Sequence, residues 1–180
     1  MPKDVAEILY STIQKIGREK IRTDVISDIH FSEKHSRQIL QECIDNLGSS
    51  ADDETLAGLS EAMLHFLLTA AVLPSERKVS FAGVELDIVV PSTKALIRDH
   101  DKSLVIQIIK KESDTLKISH AESVQPVREN IWLVSTKPLL TSYRNYQLFN
   151  DRISYHLIIC DIYDFVRNKG VRGLNLLHGQ

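Results

Sequence analysis

The stretch Lys78-Val79-Ser80-Phe81-Ala82-Gly83-Val84-Glu85-Leu86-Asp87-Ile88-Val89-Val90 decides the fold. Val79 and Phe81 alternate with polar neighbours, and Ala82-Gly83 supplies a turn. Val84, Leu86, Ile88 and Val90 then alternate with Glu85, Asp87 and Val89, a period of two that marks a strand. Glu85 and Asp87 therefore emerge on one face, about 6 to 7 Å apart along the chain. A polar connection, residues 92–102, leads to a third strand from Ser103 to Lys111, apolar from Leu104 to Ile109 except at Gln107. A polar residue inside an apolar run marks a central strand whose one polar side chain faces either a site or a satisfied core amide.

Working outward, the preceding helix is predicted from about Asp53 to Val72, with Leu56, Leu59, Met63, Leu64, Phe66, Leu67 and Leu68 forming a wide apolar face and Glu61 on its less apolar side. Pro74 closes it. After the third strand, residues 112–130 are charged and loosely helical, and Ile131-Trp132-Leu133-Val134-Ser135 reads as a short buried strand. Pro138 is expected to open a helix carrying Leu139, Leu140, Tyr143, Tyr146, Leu148 and Phe149, with Tyr143, Arg144, Tyr146 and Gln147 interleaving aromatic and polar groups. Tyr155 to Cys160 reads as a last strand, and a closing helix runs from Asp161 toward Asn168.

At the other end, Val5, Ile8, Leu9, Ile13 and Ile16 recur at helical spacing between Asp4 and Lys20. Thr23 is placed to cap a short helix with Val25, Ile26 and Ile29. Ser32 is placed to cap a longer one with His35, Ile39, Leu40, Cys43, Ile44 and Leu47, ended by Gly48. Two readings remain open. The pair is a helix-turn-helix presenting Lys34, Arg37, Gln38 and Gln41 to phosphates or base edges, or it is a packing layer with a solvated charged face. The expected division is a helical extension over 1–50 and an α/β domain, a mixed sheet flanked by helices, over 51–180.

Composition narrows the classes. A chain of 180 residues, 43% hydrophobic, buries a core, and a formal charge of −2 gives no global basic footprint, so any nucleic-acid contact is local. Cys43 and Cys160 lie in separate apolar segments without partners at metal-ligand spacing and are expected to be buried thiols. The N-terminus around Lys3 and Asp4 lacks the apolar core of a signal peptide, and the longest apolar run, Phe66 to Leu73, is too short to span a bilayer. A cytoplasmic protein is the expectation. There is no glycine-rich phosphate loop, and His30 and His35 do not share a metal-binding face.

From Asp53 onward, the order of elements resembles the restriction-endonuclease-like fold, the PD-(D/E)XK nuclease superfamily. In that family a helix carrying a carboxylate precedes a three-strand meander. The second strand gives an aspartate, and the third gives an acid or glutamine followed two positions later by lysine. The matching positions here are Glu61, Asp87 and Gln107; Ile109 stands where the lysine is expected, and lysines follow only at Lys110 and Lys111. The resemblance implies Mg²⁺ or Mn²⁺ held by Glu61, Asp87 and Gln107, with the Ile108 carbonyl completing the set. It implies catalysis by Asp87 and Gln107, with Lys110 or Lys111 assisting the attacking water. Lys110 reaches that face only through a β-bulge near Ile108-Ile109, and Lys111 only by reaching back along the strand. The implied activity is phosphodiester hydrolysis. The alternatives are a catalytically inactive version acting as a binding or assembly module, and a helix-turn-helix transcription regulator. DNA or RNA are the expected partners, with no membrane, and a homodimer is left open.

Overall fold

The computed structural model describes residues 5–110, 114–150 and 154–169. Four helices come first: α1 (Val5–Ile16), α2 (Arg18–Ser27), α3 (Phe31–Leu47) and α4 (Asp53–Ala70). The single helix expected over Asp4 to Lys20 is split because Gly17, at φ 103°, adopts a backbone that side-chain-bearing residues avoid. Helix α3 begins at Phe31, one residue ahead of Ser32, whose hydroxyl is buried against the Cys160 thiol at 3.6 Å instead of capping. Gly48, at φ 55°, ends α3, and Asp52 caps α4 by accepting the Thr55 N–H at 2.8 Å.

A five-stranded mixed sheet follows, in the order β1-β2-β3-β4-β5. Strands β1 (Glu76–Phe81) and β2 (Val84–Val90) form the predicted hairpin, turning at Ala82 (φ 50°) and Gly83 (φ 80°). Two consecutive left-handed residues match the twist of the strands they join. Strand β3 (Leu104–Ile109) is antiparallel to β2 and parallel to β4 (Ile131–Ser135). All residues of β3 and β4 are buried, as central strands require.

Three later elements also differ from the prediction. The polar connection contains a short helix, α5 (Thr93–Arg98), capped by the Ser92 hydroxyl. No helix follows Pro138; residues 144–147 form β5 (Arg144–Gln147), parallel to β4, with Asn145 and Tyr146 buried. Without β5, the apolar strand β4 would present an unpaired edge. Residues 155–160 are not a strand: Tyr155–Leu157 is a 3₁₀ turn that runs into α7 (Ile158–Asn168). The Leu157-Ile158-Ile159-Cys160 run is the first turn of an amphipathic helix burying Ile158, Ile159, Ile162 and Val166.

The sheet separates two apolar layers. One packs Ile88, Val90, Ile106, Ile108, Trp132 and Val134 against α4, α7 and the N-terminal helices, so residues of α1–α3 share a core with the sheet. The other packs Val89, Val105, Ile109 and Leu133 against Leu96 of α5 and against Ala121 and Val124 of α6 (Thr115–Val124). Cys43 and Cys160 are buried free thiols. Among the described residues, no helix is long and apolar enough to cross a membrane.

Candidate functional site

Strands β2 and β3 are paired at Val90–Leu104, Val89–Val105 and Ile88–Ile106, and there the regular pairing stops. Continuing the register would place Asp87 opposite Gln107 and Leu86 opposite Ile108. Instead the strands fork, and side chains take the ladder positions. The Asp87 N–H donates to Gln107 Oε1 (3.1 Å), and the Ile108 N–H donates to Asp87 Oδ2 (2.7 Å). Gln107, fully buried, donates through Nε2 to the carbonyls of Glu85 (3.4 Å) and Lys117 (3.2 Å). Its amide thus joins β2, β3 and α6, with the oxygen and both hydrogens engaged by backbone groups.

Among the described residues, the lysine that meets Asp87 at this fork is on α6 and is not Lys110. Lys117, on α6, donates from Nζ to Asp87 Oδ2 at 2.6 Å and to the Ile108 carbonyl at 3.0 Å. Its side chain is 28% exposed and that of Asp87 16%, so the pair is mostly shielded. Sequence reasoning looked for this amine along β3 and missed the helix. The available signal was spacing: Lys117 precedes Ala121 and Val124 by four and seven residues, and both are buried against the sheet. A lysine on the apolar stripe of a helix either turns its amine to solvent or pairs with a shielded acceptor, and this one pairs.

The other candidates lie elsewhere. Glu61 is buried on α4, with Oε1 accepting from Arg77 Nε at 2.8 Å and ion-paired to Lys78 Nζ at 3.6 Å. Lys78 itself is held at φ 50°, in the register position facing Asp87. Lys110 sits just past β3, its N–H bonded to Asp114 Oδ2 (2.9 Å), and its side chain lines a cavity of about 330 Å³ with Asp53 and residues 135–139. The bulge that would carry it to the Asp87 face is absent, since β3 pairs with β4 residue for residue through Ile109. Lys111 lies outside the described residues. Glu85 is exposed.

Lys34, Arg37, Gln38 and Gln41 are all exposed on α3 and line one groove of about 840 Å³, walled opposite by Leu148, Phe149 and Asn150. Arg37 is ion-paired to Glu33 (3.0 Å), Gln38 donates to Glu42 (3.1 Å) and Gln41 to Asp45 (2.8 Å). Helix α2 is tied to α3 by Asp24 Oδ2 and His35 Nε2, 2.9 Å apart. Tyr143 and Tyr146 do not share a helix: the Tyr146 hydroxyl, from β5, donates to Asp161 at 2.7 Å, and the Tyr143 hydroxyl bonds Glu122. Burial and the Asp161 carboxylate push the Tyr146 hydroxyl pKa far up, so it stays a donor.

A divalent Mg²⁺ or Mn²⁺ wants several oxygen ligands, carboxylates foremost. At this fork the donors do not fit one. Asp87 Oδ2 and the Ile108 carbonyl both receive the Lys117 ammonium, and the Gln107 oxygen receives the Asp87 N–H. The Glu61 carboxylate is matched by Arg77 and Lys78. Among the described residues, no group of three or more His, Cys, Asp or Glu side chains is placed to hold a metal ion.

The class this architecture defines is the restriction-endonuclease-like fold, N-terminal helices leading into a five-stranded mixed sheet flanked by helices. The restriction endonuclease PspGI, bound to substrate DNA, superposes with a TM-score of 0.61 over 92% of this chain and 94% of its own, at 10% identity. Ecl18kI, metal-depleted and in complex with uncleaved, modified DNA, gives 0.61 over 92% and 80%, at 11% identity. A second metal-depleted Ecl18kI complex, with uncleaved DNA, gives 0.52 at 12% identity. At such identities the likeness is one of fold. No family model matches the chain, and no curated protein matches it.

Proposed function

We propose that this chain is a nucleic-acid-associated protein that uses the restriction-endonuclease-like fold to engage DNA without cutting it, a binding or assembly module. Two solved proteins of similar fold are bound to DNA, which supports the choice of partner. The observation that carries the non-cleaving part is the Lys117 ammonium seated between Asp87 Oδ2 and the Ile108 carbonyl. Those are two of the oxygens that the hydrolytic reading assigns to its cation. Glu61, the remaining acid of the pattern, is neutralised by two cations of β1.

Helix α3 is the nucleic-acid face in this reading. Lys34 and Arg37 reach phosphates, and Gln38 and Gln41 lie beside them on the same exposed surface. Arg37 exchanges its Glu33 contact for a phosphate oxygen, at little cost because an exposed ion pair is worth under about 1 kcal/mol.

Duplex binding followed by fluorescence anisotropy, in EDTA and in Mg²⁺ or Mn²⁺, tests both halves alongside plasmid and single-stranded cleavage assays. Binding that persists in EDTA, with no cleavage in either metal, is expected. Metal-dependent cleavage that disappears in Asp87→Ala would overturn the proposal and restore the hydrolase. Absence of any salt-sensitive nucleic-acid binding would remove the partner.

A further inference from the structure

We infer that Gln38 and Gln41 are specificity residues that read adenine edges in the major groove, their amides held in the matching orientation by Glu42 and Asp45. The inference rests on the nucleic-acid reading of α3 and names the base chemistry that this face selects. Lys34, Gln38, Gln41 and Asp45 recur at steps of four, three and four residues and are all exposed, so they form one stripe along the helix. Gln38 Nε2 donates to Glu42 Oε1 at 3.1 Å, and Gln41 Nε2 donates to Asp45 Oδ1 at 2.8 Å. An ionised carboxylate only accepts, so each amide turns its nitrogen, and not its oxygen, toward the acid one turn on. The other Glu42 oxygen accepts from Lys15 of α1 at 2.9 Å, which ties that acid to a neighbouring helix. The Lys15 and Gln38 hydrogen bonds hold the Glu42 carboxyl below its ordinary pKa, so it stays an acceptor at neutral pH.

Each amide keeps an oxygen that no donor meets among the described residues, together with one further Nε2 hydrogen, and both glutamines line the groove. An acceptor beside a donor is the complement of adenine, which offers its N6 amine beside N7 in the major groove. Guanine offers two acceptors there, so its O6 would face the amide oxygen. A free glutamine can turn its amide over and give the nitrogen to that O6. These two cannot do so without setting Oε1 against a carboxylate. Thymine O4 meets the same conflict, and the lone amine of cytosine leaves half of the amide unmatched. Residues three apart rise about 4.5 Å along a helix, against about 3.4 Å per base step, so the two amides reach neighbouring base pairs. Lys34, one turn toward the N-terminus, is left to the phosphates.

The experiment selects duplexes from a pool with a randomised centre and then titrates single-base replacements of the selected duplex by fluorescence anisotropy. It compares wild type, Gln38→Ala, Gln41→Ala and the Glu42→Ala/Asp45→Ala double variant, with thermal melts as the folding control. Selected duplexes should carry adenines at two neighbouring positions. Replacing either adenine by guanine, by deoxynebularine, which lacks the amine, or by 7-deazaadenine, which lacks N7, should weaken wild-type binding at least about fivefold. Gln38→Ala and Gln41→Ala should each lose the preference at one position and keep it at the other. The Glu42→Ala/Asp45→Ala variant, its amides free to turn, should separate adenine from guanine less sharply than wild type. Salt-sensitive duplex binding without an adenine preference, or a preference that both glutamine variants retain, overturns the inference and leaves the DNA-binding function standing. Undiminished discrimination in the double variant overturns the role given to the two acids. Absence of duplex binding altogether removes the function, and this inference with it.

Discussion

Replacing Lys117 by methionine keeps the length and the apolar stem of the side chain and deletes only its charge. What remains is the Asp87 carboxylate, 16% exposed, with the Ile108 N–H at 2.7 Å as a surviving donor. Breaking a fully buried pair by removing one partner costs about 3–5 kcal/mol, and losing a charge-assisted hydrogen bond about 1.5–3 kcal/mol. Because water retains some access to both groups and one donor survives, a cost of about 2–3 kcal/mol is expected, below that of a fully buried pair. For a chain of this size that is a fall in Tm of about 4–12 °C. Urea unfolding of Lys117→Met, Asp87→Asn and the double variant closes a cycle, and a coupling energy of about 1.5–3 kcal/mol is expected for groups in direct contact. If the double variant loses the sum of the single losses to within about 0.5 kcal/mol, the two side chains do not act on each other and the account of the fork is wrong.

Gln107→Glu should destabilise by about 2–4 kcal/mol in chemical unfolding, since its buried oxygen would face the Glu85 and Lys117 carbonyls that now receive amide hydrogens. A neutral result would mean that those bonds are not formed. The Lys34→Ala/Arg37→Ala pair should weaken duplex binding and lower the slope of log K against log salt by about 1–2, leaving the melting temperature within a few degrees of wild type; an unchanged slope would move the nucleic-acid face off α3. His65 has its pKa lowered by burial and by the Arg77 charge from an ordinary 6.5, so the unfolded chain binds the proton more readily than the folded one. Its contribution is therefore complete above pH 6.5 and falls away as the pH drops from there through the lower folded value. His65→Gln should flatten stability against pH in that acidic window, and an unaltered profile would assign the titration elsewhere.

The hairpin and β3 were legible because their patterns admit one structure. Alternation through Val84, Leu86, Ile88 and Val90 has a period of two, and a six-residue apolar run broken only by Gln107 is too short for a buried helix. The C-terminal half was misread where the patterns admit two. Tyr143, Tyr146 and Phe149 sit three apart and suggest a helix, yet β4 needs a neighbour, and Arg144–Gln147 supplies one in four residues. Leu157-Ile158-Ile159-Cys160 reads equally as a buried strand and as the start of α7, and only the later Ile162 and Val166 give the helical period. In both cases tertiary demand decided what local spacing left open.

The site was half legible for a different reason. Asp87 stood out as a carboxylate in an alternating strand and Gln107 as the polar residue in an apolar run, and the sheet brings the two into contact. Lys117 was not picked out, because its spacing to Ala121 and Val124 marks its face of α6 but not where α6 lies over the sheet. Yet the fork constrains it strongly. Once Asp87 takes the Ile108 N–H, its charge beside the adjoining carbonyl is met by a cation from the α6 layer, and the Gln107 amide holds α6 there by the Lys117 carbonyl. The same amide thus fixes the helix whose lysine answers the Asp87 charge. Gln107 and Lys117 are in that sense one device, and replacing either alone should cost more than its own hydrogen bonds.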